Sequence, residues 1–160
     1  MGYSDFSSGS KIWIYQSDRE LKSSEVKQIK EDGAQFVSQW AAHGSQLRAA
    51  FDVLHKRFII LIADETEAAA ASGCSIDASV RFIKHLESCF DLNLFDRMQV
   101  AYEKDGKIEV LHMHDFEQKI QSSEITAGTI VFNNTVQTLG EFRNKWRLPV
   151  QDSWHSRMLV

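Results

Sequence analysis

Phe58-Ile59-Ile60-Leu61-Ile62 is a continuous apolar run, extended by Ala63 and preceded by the polar turn His55-Lys56-Arg57. A strand with one wet face alternates apolar and polar residues, whereas an uninterrupted run of this length is a strand covered on both faces. Upstream of the turn, Leu47, Ala49, Phe51 and Val53 alternate with more polar neighbours, so the two stretches read as a hairpin whose second strand is central. Lys11-Ile12-Trp13-Ile14-Tyr15 reads as a further strand ahead of the Gln16-Ser17-Asp18 turn.

Helices are expected on either side of this hairpin. From Ser23, a candidate cap, the residues Val26, Ile29, Gly33, Phe36, Val37 and Trp40 fall on one stripe, with Gly44 as the expected end. Asp64 to Gly73 reads as a loop. Ser75 is then the expected N-cap of a helix from about Ile76 to Phe90, with Ile76, Val80, Ile83, Leu86 and Phe90 on its inner face. Met98, Val100 and Tyr102 alternate up to Asp105-Gly106, and Ile108 to Met113 returns, which marks a second tight hairpin.

Asp115 could cap a short helix carrying Phe116 and Ile120, and Thr129 to Phe132 reads as a strand. Thr138 and Glu141 form a capping box for a helix through Trp146, which Pro149 is expected to stop. The first ten residues, rich in Ser and Gly, read as a flexible leader, and residues 11–160 as a single domain. The expected class is α+β, with a mostly antiparallel sheet built from two hairpins and helices mainly on one face.

The 160 residues are 43% hydrophobic and 25% charged, with a formal net charge of −4, enough for one ordinary core and too little cationic surface for nonspecific nucleic-acid binding. No apolar run approaches the ~20 residues of a membrane span, and the N-terminal residues lack a secretory pattern. A cytoplasmic protein is expected. Cys74 and Cys89 flank a predicted helix and would lie roughly 20 Å apart, against about 5.5 Å for a disulfide, so both should be free thiols.

Ser72-Gly73-Cys74-Ser75-Ile76-Asp77 carries the densest chemistry. A thiol at a helix start is favoured as thiolate, and Cys74 is the candidate nucleophile, with His43 or His155 as candidate base. Asp77 opposes a second negative charge one turn away. The milder reading uses the free N–H groups of the helix start, with Ser72, Gly73, Ser75 and Asp77, to hold a small anionic or polar ligand. Capping by Ser75 and turning by Gly73 account for both residues without any ligand. His43 equally suits a helix C-terminus, and Asp64-Glu65 suits a solvated turn. His112 and His114 share a strand face but lack a third ligand at metal spacing, and no cofactor or metal is expected. Asp152-Ser153-Trp154-His155 contains triad residue types within one short tail, where they do not ordinarily converge.

Lys11-Ile12-Trp13-Ile14-Tyr15, Phe36-Val37 with Trp40 and His43-Gly44, Gly73 to Asp77, Asn93-Leu94-Phe95-Asp96-Arg97, Val131-Phe132-Asn133-Asn134 and Asp152 to His155 together resemble an uncharacterised bacterial family. Its members often carry the label ABC transporter ATPase. That activity needs a loop G-x-x-x-x-G-K-[ST], and the only Gly-Lys pair here is Gly106-Lys107, followed by Ile108 in a hairpin turn. ATP hydrolysis by that mechanism is therefore not expected. Phe116, Ile120, Ile125, Thr129 and Val131-Phe132 resemble the short helix and strand of GYF-like interaction modules, without their aromatic signature. The expected function is non-catalytic binding of a small ligand or a protein partner beside residues 64–77. The alternative is a thiol-dependent hydrolase or transferase using Cys74.

Overall fold

A computed structural model describes residues 3–42, 45–46, 48–64 and 73–159, with Ala41, Ala42, Ser45 and Gln46 described by backbone alone. The fold is α+β, and its strands pair antiparallel throughout. Two compact units divide the chain: Met1–Phe95 with Gln137–Gly140, and Asp96–Val136 with Glu141–Val160. The two expected hairpins fall in separate sheets, one in each unit.

In the first unit the elements are β1 (Lys11–Gln16), α1 (Ser23–Gln39), β2 (Ala41–Ala42), β3 (Ser45–Gln46), β4 (Arg48–Leu54), β5 (Phe58–Asp64) and α2 (Gly73–Phe90). The apolar run forms β5, which lies between β1 and β4, and all seven of its residues are buried. Leu61 stands opposite Trp13 and Phe51, and Ile59 opposite Tyr15 and Val53. This face packs on both helices: Ile59 clusters with Ile29 of α1 and with Ile83 and Leu86 of α2. The reverse face carries Ile60, Ile62 and Asp64 and is approached by residues 3–10. There the Tyr3 hydroxyl donates to buried Asp52 at 3.1 Å, and the Arg48 guanidinium lies 4.4 Å over the Phe6 ring. Phe6 and Ser10, in the stretch expected as a flexible leader, are buried.

Both ends of α1 and the start of α2 differ from the sequence reading. Helix α1 stops at Gln39 rather than near Gly44, because Trp40 turns to an extended conformation and leads into the β2–β3 pair. At its other end the Glu25 carboxylate accepts the Lys22 N–H at 2.8 Å, half of a capping box built one residue before the expected Ser23 cap. Helix α2 starts at Gly73, so Ser75 lies inside its first turn and is not the N-cap.

The second unit contains β6 (Gln99–Lys104), β7 (Lys107–His112), α3 (Met113–Gln121), β8 (Ile130–Phe132) and β9 (Arg147–Pro149), in sheet order β7-β6-β8-β9. Helix α4 (Leu139–Lys145) begins in residues of the first unit and continues in the second. Asp105 and Gly106 both have positive φ, 52° and 77°, which fits the two-residue hairpin read from the sequence. Gly106-Lys107 is thus part of a β-turn and not a phosphate loop. Helix α4 ends at Lys145, before Pro149, and the chain resumes as an edge strand, where a proline removes no needed donor. Val100, Tyr102, Phe116, Ile125, Val131 and Val150 form the core of this unit.

Gly33 sets how closely α1 approaches the sheet. A Cβ added there would overlap Cγ, Cδ1 and Cε1 of the Phe51 ring, far inside contact distance. Alanine would add about 1 kcal/mol of helix propensity, but overpacking a core typically costs about 1–3 kcal/mol or more. Gly33→Ala should therefore destabilise the protein by about 1–2 kcal/mol net in urea unfolding, and Phe51→Leu in the same chain should recover part of the loss. A Gly33→Ala protein as stable as the wild type would show that this contact is not tight.

Candidate functional site

The start of α2 rests on aromatic rings. Phe36 stacks on Phe82 with centroids 4.5 Å apart, and Trp40 meets Phe36 at 5.5 Å and Trp13 at 6.0 Å. Trp40 is buried, so its indole N–H needs an acceptor, and it donates to the Ser75 carbonyl at 2.8 Å. This bond ties the end of α1 to the first turn of α2. Ser75 is buried beneath that turn, and the Ser79 hydroxyl is spent on the Ile76 carbonyl at 2.7 Å.

Above this platform Gly73, Cys74 and Asp77 are exposed. Cys74 makes no hydrogen bond among the described residues. Gly73 has ordinary helical geometry, and a Cβ added to it would meet no described atom within 4 Å, so neither conformation nor crowding there demands glycine. Ser72 and His43 lie outside the described residues, as does Glu65. Asp64, at the end of β5, is buried and paired to Arg48 Nη1 at 2.8 Å, while Arg48 Nη2 also holds Asp5 at 2.7 Å. Its carboxylate is thus engaged in an ion pair.

His155 belongs to the second unit and is buried. Ser153 caps the 3-10 turn Trp154–Met158, its Oγ accepting the His155 backbone N–H at 3.1 Å and contacting the imidazole Nδ1. Because Oγ accepts from the backbone, its hydroxyl proton is free to donate to Nδ1, which leaves a neutral ring protonated at Nε2. Trp154 stacks on that ring at 3.9 Å. Burial, with a smaller contribution from the Arg157 charge, lowers the His155 pKa to about 4. Within its own unit the imidazole does structural work, joining a capped turn to the core through Phe116 at 6.1 Å.

The remaining polar candidates are also engaged. His114 is not on a strand with His112 but in the first turn of α3, and its backbone N–H donates to His112 Nδ1 at 3.1 Å. His112 is therefore the cap expected of Asp115. Asn134 Oδ1 accepts the Trp146 indole N–H at 2.9 Å. Among the described residues, no group of three or more His, Cys, Asp or Glu is placed to hold a metal ion. One thiol–imidazole contact does occur, between Cys89 and His85 on the exposed face of α2. The i, i+4 spacing of His85 and Cys89 is the sequence signal for it.

No protein-family model, curated protein or solved structure matches the chain. Among the described residues, no helix is long and apolar enough to cross a membrane.

The buried imidazole makes stability depend on pH in a defined window. A folded pKa near 4, below the ordinary 6.5, means the unfolded chain binds the proton more readily, so this contribution is fully present above pH 6.5 and is lost as pH falls towards 4. Between about pH 7.5 and 4.5 the wild type should lose about 2–3 kcal/mol more than His155→Gln in urea titrations. Parallel pH profiles for the two proteins would refute the assignment. Glu25 is separate: Arg19 and the Lys22 N–H lower its pKa to about 2, so its contribution is lost further down, as pH falls from about 4.5 through 2.

Proposed function

We propose that this chain is a non-catalytic binding domain that takes a small anionic or polar ligand at the exposed first turn of α2. The observation that carries this reading is the anchored helix start. Trp40 fixes the turn from beneath through the Ser75 carbonyl, while Gly73, Cys74 and Asp77 face solvent above it. A turn held from below needs little reordering when a ligand docks, which reduces the entropic cost of binding. The backbone N–H groups of the first turn supply donors, and Cys74 a polarizable contact.

Catalysis by Cys74 draws less support. Within its own unit no described imidazole or amine is hydrogen-bonded to its sulfur, and His155, one of the two candidate bases, is neutral, buried and bonded to Ser153 in the second unit. Asp77 selects among ligands, since its carboxylate repels a strongly anionic guest.

A thermal-shift series with nucleotides, phosphorylated metabolites, carboxylates and divalent metals would test the reading on wild type, Cys74→Ser and Asp77→Asn. At a hundredfold excess over Kd a ligand should stabilise the protein by about 2.7 kcal/mol. An anionic ligand bound at this turn should stabilise Asp77→Asn more than the wild type. A ligand whose effect is the same in all three proteins binds elsewhere, and no response to any compound would turn the reading towards a protein partner at the same turn.

A further inference from the structure

Helix α2 carries both cysteines on its solvent face, in different surroundings. Ile83 and Leu86 are fully buried and hold the helix on the sheet, so His85, Ser88 and Cys89 point outward. Cys89 Sγ lies 3.4 Å from Nε2 and 3.8 Å from Nδ1 of His85, within reach of whichever ring nitrogen is unprotonated. Neither side chain makes another hydrogen bond among the described residues. Cys74, at the other end of the helix, has no described imidazole beside it. The thiols are separated by about 22 Å of helix, so they cannot bridge each other and any disulfide at Cys89 must come from a second molecule.

We propose that Cys89 with His85 is a thiol-modification site that forms mixed disulfides with small, anionic disulfides. His85 accepts the thiol proton, and the Cys89 thiolate attacks one sulfur of R–S–S–R. A new S–S bond joins Cys89 to one RS group, the old S–S bond breaks, and the other sulfur leaves as a thiolate, the imidazolium passing its proton to that thiolate or, where the thiolate is the weaker base, to water. The disulfide itself is the oxidant, so no further reactant is needed. Arg81, exposed one turn before His85, and the neighbouring exposed Lys84 favour a reagent carrying carboxylates. The assignment is independent of ligand binding at the first turn.

The two thiols on one helix provide an internal comparison, because both are exposed and only Cys89 is hydrogen-bonded to a described imidazole. The probe is the dianionic aromatic disulfide 5,5′-dithiobis(2-nitrobenzoate), followed by release of its coloured thiolate at neutral pH, with the mass of the adduct confirming the site. Cys74→Ser, which leaves Cys89, should react at least about tenfold faster than Cys89→Ser, which leaves Cys74. Adding His85→Gln to Cys74→Ser should remove most of that advantage without changing Tm, since both side chains are exposed. Neutral 2,2′-dithiodipyridine should show a smaller preference for Cys89. Equal rates at the two thiols, or a Cys89 rate unchanged by His85→Gln, would overturn the proposal.

Discussion

Phe58 to Ala63 bury every side chain on a strand whose successive residues point to opposite sides, so the first unit must supply apolar cover for both faces of β5 at once. On one side α1 and α2 provide it through Ile29, Ile83 and Leu86. On the other, residues 3–10 contribute Tyr3 and Phe6 to the groups around Asp52 and Arg48. This two-sided demand explains why Gly33 must be small and why the chain before β1 is drawn onto the sheet. It also accounts for the pairing of buried Asp64 with Arg48, because a carboxylate carried into that interior by the strand needs a counter-charge.

The candidate site inherits its geometry from the same requirement. Trp40 is buried in a cluster with Leu61 and Ala63 of β5, and its indole N–H must then find an acceptor away from water. The Ser75 carbonyl in the first turn of α2 is that acceptor, so covering the central strand also fixes the turn that exposes Cys74 and Asp77. At the far end of α2 the chemistry differs: the helix backbone alone brings His85 and Cys89 together, without burial or any partner from another element.

Much of the architecture is legible in the sequence because it rests on local periodicity and turn chemistry. The run at β5, the stripe of α1 and the positive-φ pair Asp105-Gly106 each carry their own signal. What the sequence does not convey depends on contacts distant along the chain. Ser75 looks like a cap next to Gly73, and only its carbonyl partner 35 residues away shows why it is buried. His155 resembles a free base until burial and Ser153 are seen to engage it. Phe6 carries no periodic neighbours that would mark it as core. His112 is the last residue of β7 as its strand reading expects, but its second role as the cap of α3 is not legible, because capping by an imidazole falls outside the usual Ser, Thr, Asp and Asn set.

The bond between Trp40 and Ser75 is where core and candidate site meet, and native-state hydrogen exchange of the Trp40 indole N–H probes it most directly. If the first turn of α2 is fixed to the core as described, this proton should exchange as slowly as the amides of Ile59 to Ile62, through global opening of the unit. Exchange at the rate of a solvent-exposed indole, with the β5 amides still protected, would contradict the account: the helix start would then be opening independently of the strand that is meant to hold it.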